Sequence, residues 1–170
     1  MTLLPLEGRA RVVGDDISTD TIISSHRKKD SIDPARLRHH LLEDLDAAFA
    51  ASVRPGDILV AGRNFGCGSA MEVAVTVVLG AGIRAVVARS FARTYLRNAM
   101  NNGLLAIEAD TRGVAEGDRL RVAADGDRGL ALAVNGQAPI PCAPMPDFML
   151  RMLEAGGLVP YLRAHGRFAD

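Results

Sequence analysis

Between Ile58 and Ala109 the chain alternates short apolar runs with helix-forming stretches, and this alternation limits the possible folds more than any other feature. ILVAG, IRAVVARS and LLAIEA are rich in Val, Ile, Leu and Ala and too short for buried helices. They predict three buried strands. The segments between them, MEVAVTVVLGAG and FARTYLRNAMNNG, predict two helices, the first rich in small residues and the second stopped by Asn101, Asn102 and Gly103. Strand, helix, strand, helix, strand in about fifty residues implies parallel strands joined by right-handed crossovers. The expected class is therefore α/β.

The flanking segments extend that frame. Upstream, Ala10 to Val13 predicts a strand running into a polar loop of Gly14, Asp15, Asp16, Ser18 and Asp20. An irregular stretch to Pro34 contains Arg27, Lys28 and Lys29, the densest positive charge in the chain. From Pro34 to about Phe49 the spacing of Leu37, Leu41, Leu42, Leu45 and Phe49 predicts one helix, with Asp33 and Pro34 as N-cap and first residue. After Asp110 the pattern changes to antiparallel strands turned at DGDRG and NG. A closing helix follows, with Phe148, Met149, Met152 and Leu153 on one face and a stop at Gly156 and Gly157. The whole, residues 1–170, reads as a single domain.

Composition narrows the function classes. A formal net charge of +0 argues against a nucleic-acid or anionic-membrane surface. No apolar run approaches the roughly 18 residues of a membrane span, and the amino terminus lacks a signal-peptide pattern, so a cytoplasmic protein is expected. Two cysteines, Cys67 and Cys142, have no metal-ligand spacing. The three carboxylates of GDDISTDTI do not match a calcium loop and read as a network of turn caps. His26, His39, His40 and His165 form no nucleophile–base pattern.

The chemistry-bearing stretch is NFGCGSAMEVAV, Asn64 to Val75. Gly66 and Gly68 permit positive φ and close backbone approach, and a following helix presents free N–H groups suited to an anion. The turn is neither a P-loop nor GxGxxG nor GxSxG, because the required lysine, third glycine and second glycine are missing. Ser69 reads equally well as a reactive hydroxyl and as an ordinary helix N-cap. Cys67 reads as a small packing residue or as a thiol activated by the helix.

Taken together and in order, GDDISTDTII, RPGDILVAGRNFGCGS and ARSFARTYLRNAMNNGLLAI resemble the small-subunit family of 3-isopropylmalate dehydratase, which corresponds to the swivel domain of aconitase. The resemblance implies a swivelling β/β/α fold with central parallel strands and a C-terminal antiparallel segment. It also implies a hydro-lyase of leucine biosynthesis, active as a heterodimer or heterotetramer with a large subunit. That subunit carries a [4Fe–4S] cluster, and this chain binds no metal. A serine of the swivel subunit takes the proton from carbon, and Ser69 matches it.

The departures from the family pattern concern substrate binding. The family turn reads Gly-Ser-Ser-Arg-Glu-His, whereas this chain has Gly68-Ser69-Ala70-Met71-Glu72-Val73. Ala70 and Met71 replace a serine and an arginine that bind a substrate carboxylate. Gly68, Ala70 and Met71 are accordingly candidate substrate contacts. Arg27, with Lys28 second, is the candidate cation of the substrate-selecting loop. These changes keep two alternatives open: a dehydratase for another acid of the homoaconitate, citraconate or dimethylmalate type, or a non-catalytic swivel-domain binding subunit.

Overall fold

Seven strands form one mixed sheet in the order β4-β3-β2-β1-β5-β6-β7 in the computed structural model, which describes residues 2–168. β1 (Leu6–Val12), β2 (Ile58–Ala61), β3 (Ala85–Ala88) and β4 (Leu105–Glu108) run parallel. β5 (Arg119–Ala124), β6 (Leu130–Val134) and β7 (Ile140–Pro141) continue the sheet antiparallel. The pattern of burial explains the division. Every residue of β2 and β3 is buried, as parallel strands covered on both faces require. β5 instead alternates, burying Leu120 and Val122 while Arg119 and Arg121 are exposed.

β1 is longer than the predicted Ala10 to Val13 because it joins the two halves. Its first residues pair with β5 (Leu6 with Val122), and its last pair with β2 (Ala10 with Ile58). The NG turn forms as expected, with positive φ at both Asn135 and Gly136.

Eight helices are described: α1 (Thr19–Ile22), α2 (Arg27–Asp30), α3 (Pro34–Leu37), α4 (Phe49–Ser52), α5 (Val73–Gly80), α6 (Arg93–Asn101), α7 (Asp147–Glu154) and α8 (Leu158–His165). α5 and α6 are the two predicted crossovers. The closing helix breaks at Gly156 and Gly157, both at positive φ, and resumes as α8, so that α7 and α8 pack on α6.

The helix expected over residues 34–49 does not form. One turn of α3 passes into a 3-10 turn at Arg38–His40, and Leu42 then adopts φ +56°. Leu37, Leu41, Leu42 and Phe49 are nonetheless buried, while Leu45 is exposed. The spacing therefore marked four of its five side chains as buried correctly, but not Leu45 and not the path of the backbone. Local competitors explain the difference. The Leu42 N–H donates to the Ile22 carbonyl at 2.9 Å, and the Asp46 carboxylate accepts the Ala48 N–H.

Candidate active site

The loops that follow β1, β2 and β3 meet at the carboxyl ends of the parallel strands, where open α/β sheets place their sites. Backbone bonds continue the sheet into them. The Gly66 N–H donates to the Ile17 carbonyl and the Thr19 N–H to the Cys67 carbonyl, each at 2.8 Å. On the other side the Phe65 N–H donates to the Ser90 carbonyl, and the Ala92 N–H returns to the Phe65 carbonyl. The turn carrying Ser69 is thus laced to both neighbouring loops.

Aromatic packing sets the height of the turn. Phe65 is fully buried and meets Phe91 and Tyr95 edge to face, with centroids 6.0 and 5.1 Å away. Gly66 lies directly on the Tyr95 ring at φ +80°, and a Cβ there would collide with it. The Tyr95 hydroxyl donates to the Ala74 carbonyl at 3.0 Å, tying α6 to α5. Burial pushes that hydroxyl far above its ordinary pKa, so it is a structural donor rather than an acid.

The polar loop after β1 is a network of caps. Ser18 caps α1 by accepting the Thr21 N–H, and the Asp20 carboxylate accepts the Ser25 N–H. Asp15 accepts the Arg63 N–H at 2.8 Å and is bound by Arg89 at 2.6 Å, and these contacts hold its carboxyl below the usual range against the opposing effect of desolvation. Asn64 donates to Asp16 from a left-handed backbone (φ +57°).

Ser69 is exposed, and among the described residues its hydroxyl has no hydrogen-bond partner. Its backbone, by contrast, is anchored: buried Thr19 donates through Oγ1 to the Ser69 carbonyl at 2.7 Å. The N-cap reading is not realised. α5 begins only at Val73, with Glu72 as a cap residue that makes no side-chain cap bond. The amides of Ser69, Ala70, Met71 and Glu72 donate to no acceptor among the described residues. Free N–H groups beside a hydroxyl lower the cost of losing its proton to solvent, and the resulting alkoxide can accept a proton from carbon while the amides hold its negative charge.

The other candidates are distributed unevenly. Gly68 (φ +91°) and Ala70 are exposed beside Ser69. Met71, by contrast, is 6% exposed and packs into the hydrophobic core. Arg27 and Lys28 lie on helix α2, not in an irregular loop. Arg27 is also not a free cation. Its Nε and Nη2 grip both Glu43 oxygens at 2.7 and 3.1 Å, and His40 Nδ1 lies 2.8 Å from the same carboxylate. Lys28 is exposed.

Sequence reasoning missed Thr19 and Glu43. Thr19 had no signal to set it apart from its polar neighbours Ser18, Asp20 and Thr21, and Glu43 had none because its partner is sixteen residues away.

An iron–sulfur cluster does not fit the donors of this chain. Cys67 is half-buried in the turn, and burial pushes the Cys142 thiol up to about 11. Among the described residues no group of three or more His, Cys, Asp or Glu is placed to hold a metal ion. No helix of the described residues is long and apolar enough to cross a membrane.

Residues 19–112 match the family model of the aconitase C-terminal domain. The chain is 42% identical over 159 residues to the 3-isopropylmalate dehydratase small subunit of Moorella thermoacetica, covering 92% of this chain and 94% of that one. It is 43% identical over 165 residues to 3-isopropylmalate dehydratase small subunit 2 of Archaeoglobus fulgidus, covering 96% and 98%. Among solved structures, a 3-isopropylmalate dehydratase from Methanocaldococcus jannaschii matches with a TM-score of 0.88 at 38% identity, covering 96% of each chain.

Proposed function

This chain belongs to the 3-isopropylmalate dehydratase small-subunit family, with the fold of the aconitase C-terminal domain, and on that premise we propose how it works. It is the small subunit of a hydro-lyase of leucine biosynthesis, acting as one swivel domain that removes and re-adds water on 3-isopropylmalate or a closely related hydroxy acid. A small subunit works with a large one. In our reading the large subunit holds a [4Fe–4S] cluster, which when bound supplies a Lewis-acid iron for the substrate hydroxyl and carboxylate.

Ser69 is the residue we assign to take the proton from carbon. One observation carries this assignment: its hydroxyl is free at the strand ends while its backbone is pinned by Thr19. The neighbouring amides, from Ser69 to Glu72, lower the cost of negative charge on the serine oxygen or on a substrate carboxylate. Gly68 and Ala70 flank that space without side chains that would fill it.

The substrate's second carboxylate needs a cation that Met71 does not provide. Arg27 is our candidate, with Lys28 second. What supports this reading is that Arg27 binds the Glu43 carboxylate in two-point fashion, the kind of grip a substrate carboxylate needs.

The test is Ser69→Ala in the complex reconstituted with the large subunit. The exposed side chain makes no bond, so folding and assembly should be unchanged. Removing a positioned base should lower kcat by roughly 10²–10⁴. Near-normal turnover would remove Ser69 from the mechanism.

A further inference from the structure

We propose, on the two-subunit reading above, that the groove between α6 and the α7–α8 pair seats a segment of the large subunit carrying apolar side chains beside carboxylates. The groove is a cavity of about 270 Å³. Its floor is apolar, made by Leu96, Met100, Met149 and Leu158, and methionines repack readily around an incoming side chain. Phe148 and Phe168 form its wall. They are 39% and 53% exposed and meet edge to face at 6.5 Å, whereas Phe49, Phe65 and Phe91, the remaining phenylalanines, are all buried. Two large rings left open on one groove mark a surface that association would cover.

Charge identifies the occupant. Arg93 and Arg97 stand one helical turn apart on the rim, so their like charges repel. Among the described residues neither guanidinium has an ion-pair or hydrogen-bond partner, and no carboxylate is among the residues that line the groove. A partner that sets its own carboxylates there relieves the repulsion and forms charge-assisted bonds. Position identifies the source. Arg93 opens α6, and the preceding Ala92 is bonded to Phe65 in the loop that carries Ser69. A body that covers Ser69 to complete the site therefore lies against the rim of this groove.

The experiment measures the affinity of the full chain for its large subunit by titration calorimetry. Wild type is compared with an Arg93→Glu/Arg97→Glu double variant and with Met149→Asp. Both arginines are exposed, so the double variant should keep the wild-type circular dichroism and melting curve, and it decides the matter even if Met149→Asp fails to fold. Each folded variant should bind at least roughly tenfold more weakly, the usual result of losing a central arginine or apolar anchor. If wild type binds and the folded variants bind within about twofold of it, the groove is not the seat, and the two-subunit reading stands. If wild type forms no complex, that reading fails and the proposal fails with it. A wild-type homodimer that the same variants dissociate would show a second copy in the groove and overturn the proposal.

Discussion

At Thr19 and Gly66, single atoms hold the candidate base in place. Thr19 Oγ1 supplies a hydrogen bond to the Ser69 carbonyl, and nothing in its position suggests contact with substrate. It is a positioning residue. Thr19→Val keeps shape and burial but removes the donor, at a stability cost of about 1 kcal/mol. It should lower kcat by roughly tenfold through a misplaced hydroxyl, with KM little changed, and Thr19→Ser should restore activity. A Thr19→Val enzyme with wild-type kcat would show that Ser69 needs no such anchor. Gly66 allows no such subtlety. Gly66→Ala places a methyl group against the Tyr95 ring at an unfavourable φ, and urea unfolding should show a loss of about 2 kcal/mol.

The secondary-structure elements that surround the site differ in how firmly they are held. α5 and α6 are tied by Tyr95 and by a core of small and aliphatic side chains. α2 is four residues long with none of them buried, and the ion pair between Arg27 and Glu43 is its main tie to the rest of the fold. Under the clamp proposed above, Glu43 competes with substrate for the same guanidinium. Arg27→Ala should raise KM strongly and change the preference among candidate acids, whereas Glu43→Gln should free the cation and alter KM in the opposite sense. Steady-state kinetics on isopropylmalate, citraconate and dimethylmalate would check both. If the two variants match wild type with every acid, Arg27 is no clamp. The hydrogen bond from Arg27, assisted by His40, outweighs desolvation and holds the Glu43 carboxyl below its usual pKa. The latch is therefore present across the neutral range and is lost as pH falls below about 4.

For the molecule as a whole, a buried ionic knot joins the strand that both halves share to the turn before β2. Asp57 is almost fully buried and receives Arg9 at 2.7 Å, the Arg54 N–H at 2.9 Å and Arg11 at 3.5 Å. Burial alone would raise its pKa, but the Arg9 and Arg54 hydrogen bonds and the charges of Arg9 and Arg11 lower it overall. A folded pKa below the unfolded value contributes stability above about pH 4, and that contribution is lost as pH falls through the folded value. Asp57→Asn should therefore cost about 3 kcal/mol at neutral pH, much less in acid, and flatten the acid limb of a stability–pH curve. Denaturant melts at several pH values would check the sign. At the same scale, the chain purified alone should carry no stoichiometric iron or sulfide, because its two cysteines stand in unrelated segments. A cubane cluster on the isolated chain would overturn the division of labour between subunits.

Local chemistry made much of this legible in advance. Runs such as ILVA and AVVA are buried on both faces, so their composition alone identifies parallel strands, and the glycines around Ser69 announce a turn whatever surrounds them. Residues 34–52 were not legible in the same way. Hydrophobic spacing reports which side chains are buried, and Leu37, Leu41, Leu42 and Phe49 are; it does not report the backbone between them, which long-range bonds such as Leu42 to Ile22 decide. The site divides likewise. Ser69 stands out from its own neighbours in the chain. The anchor from Thr19 spans fifty residues, and the Glu43 grip on Arg27 and the burial of Met71 also depend on partners that only tertiary packing brings together.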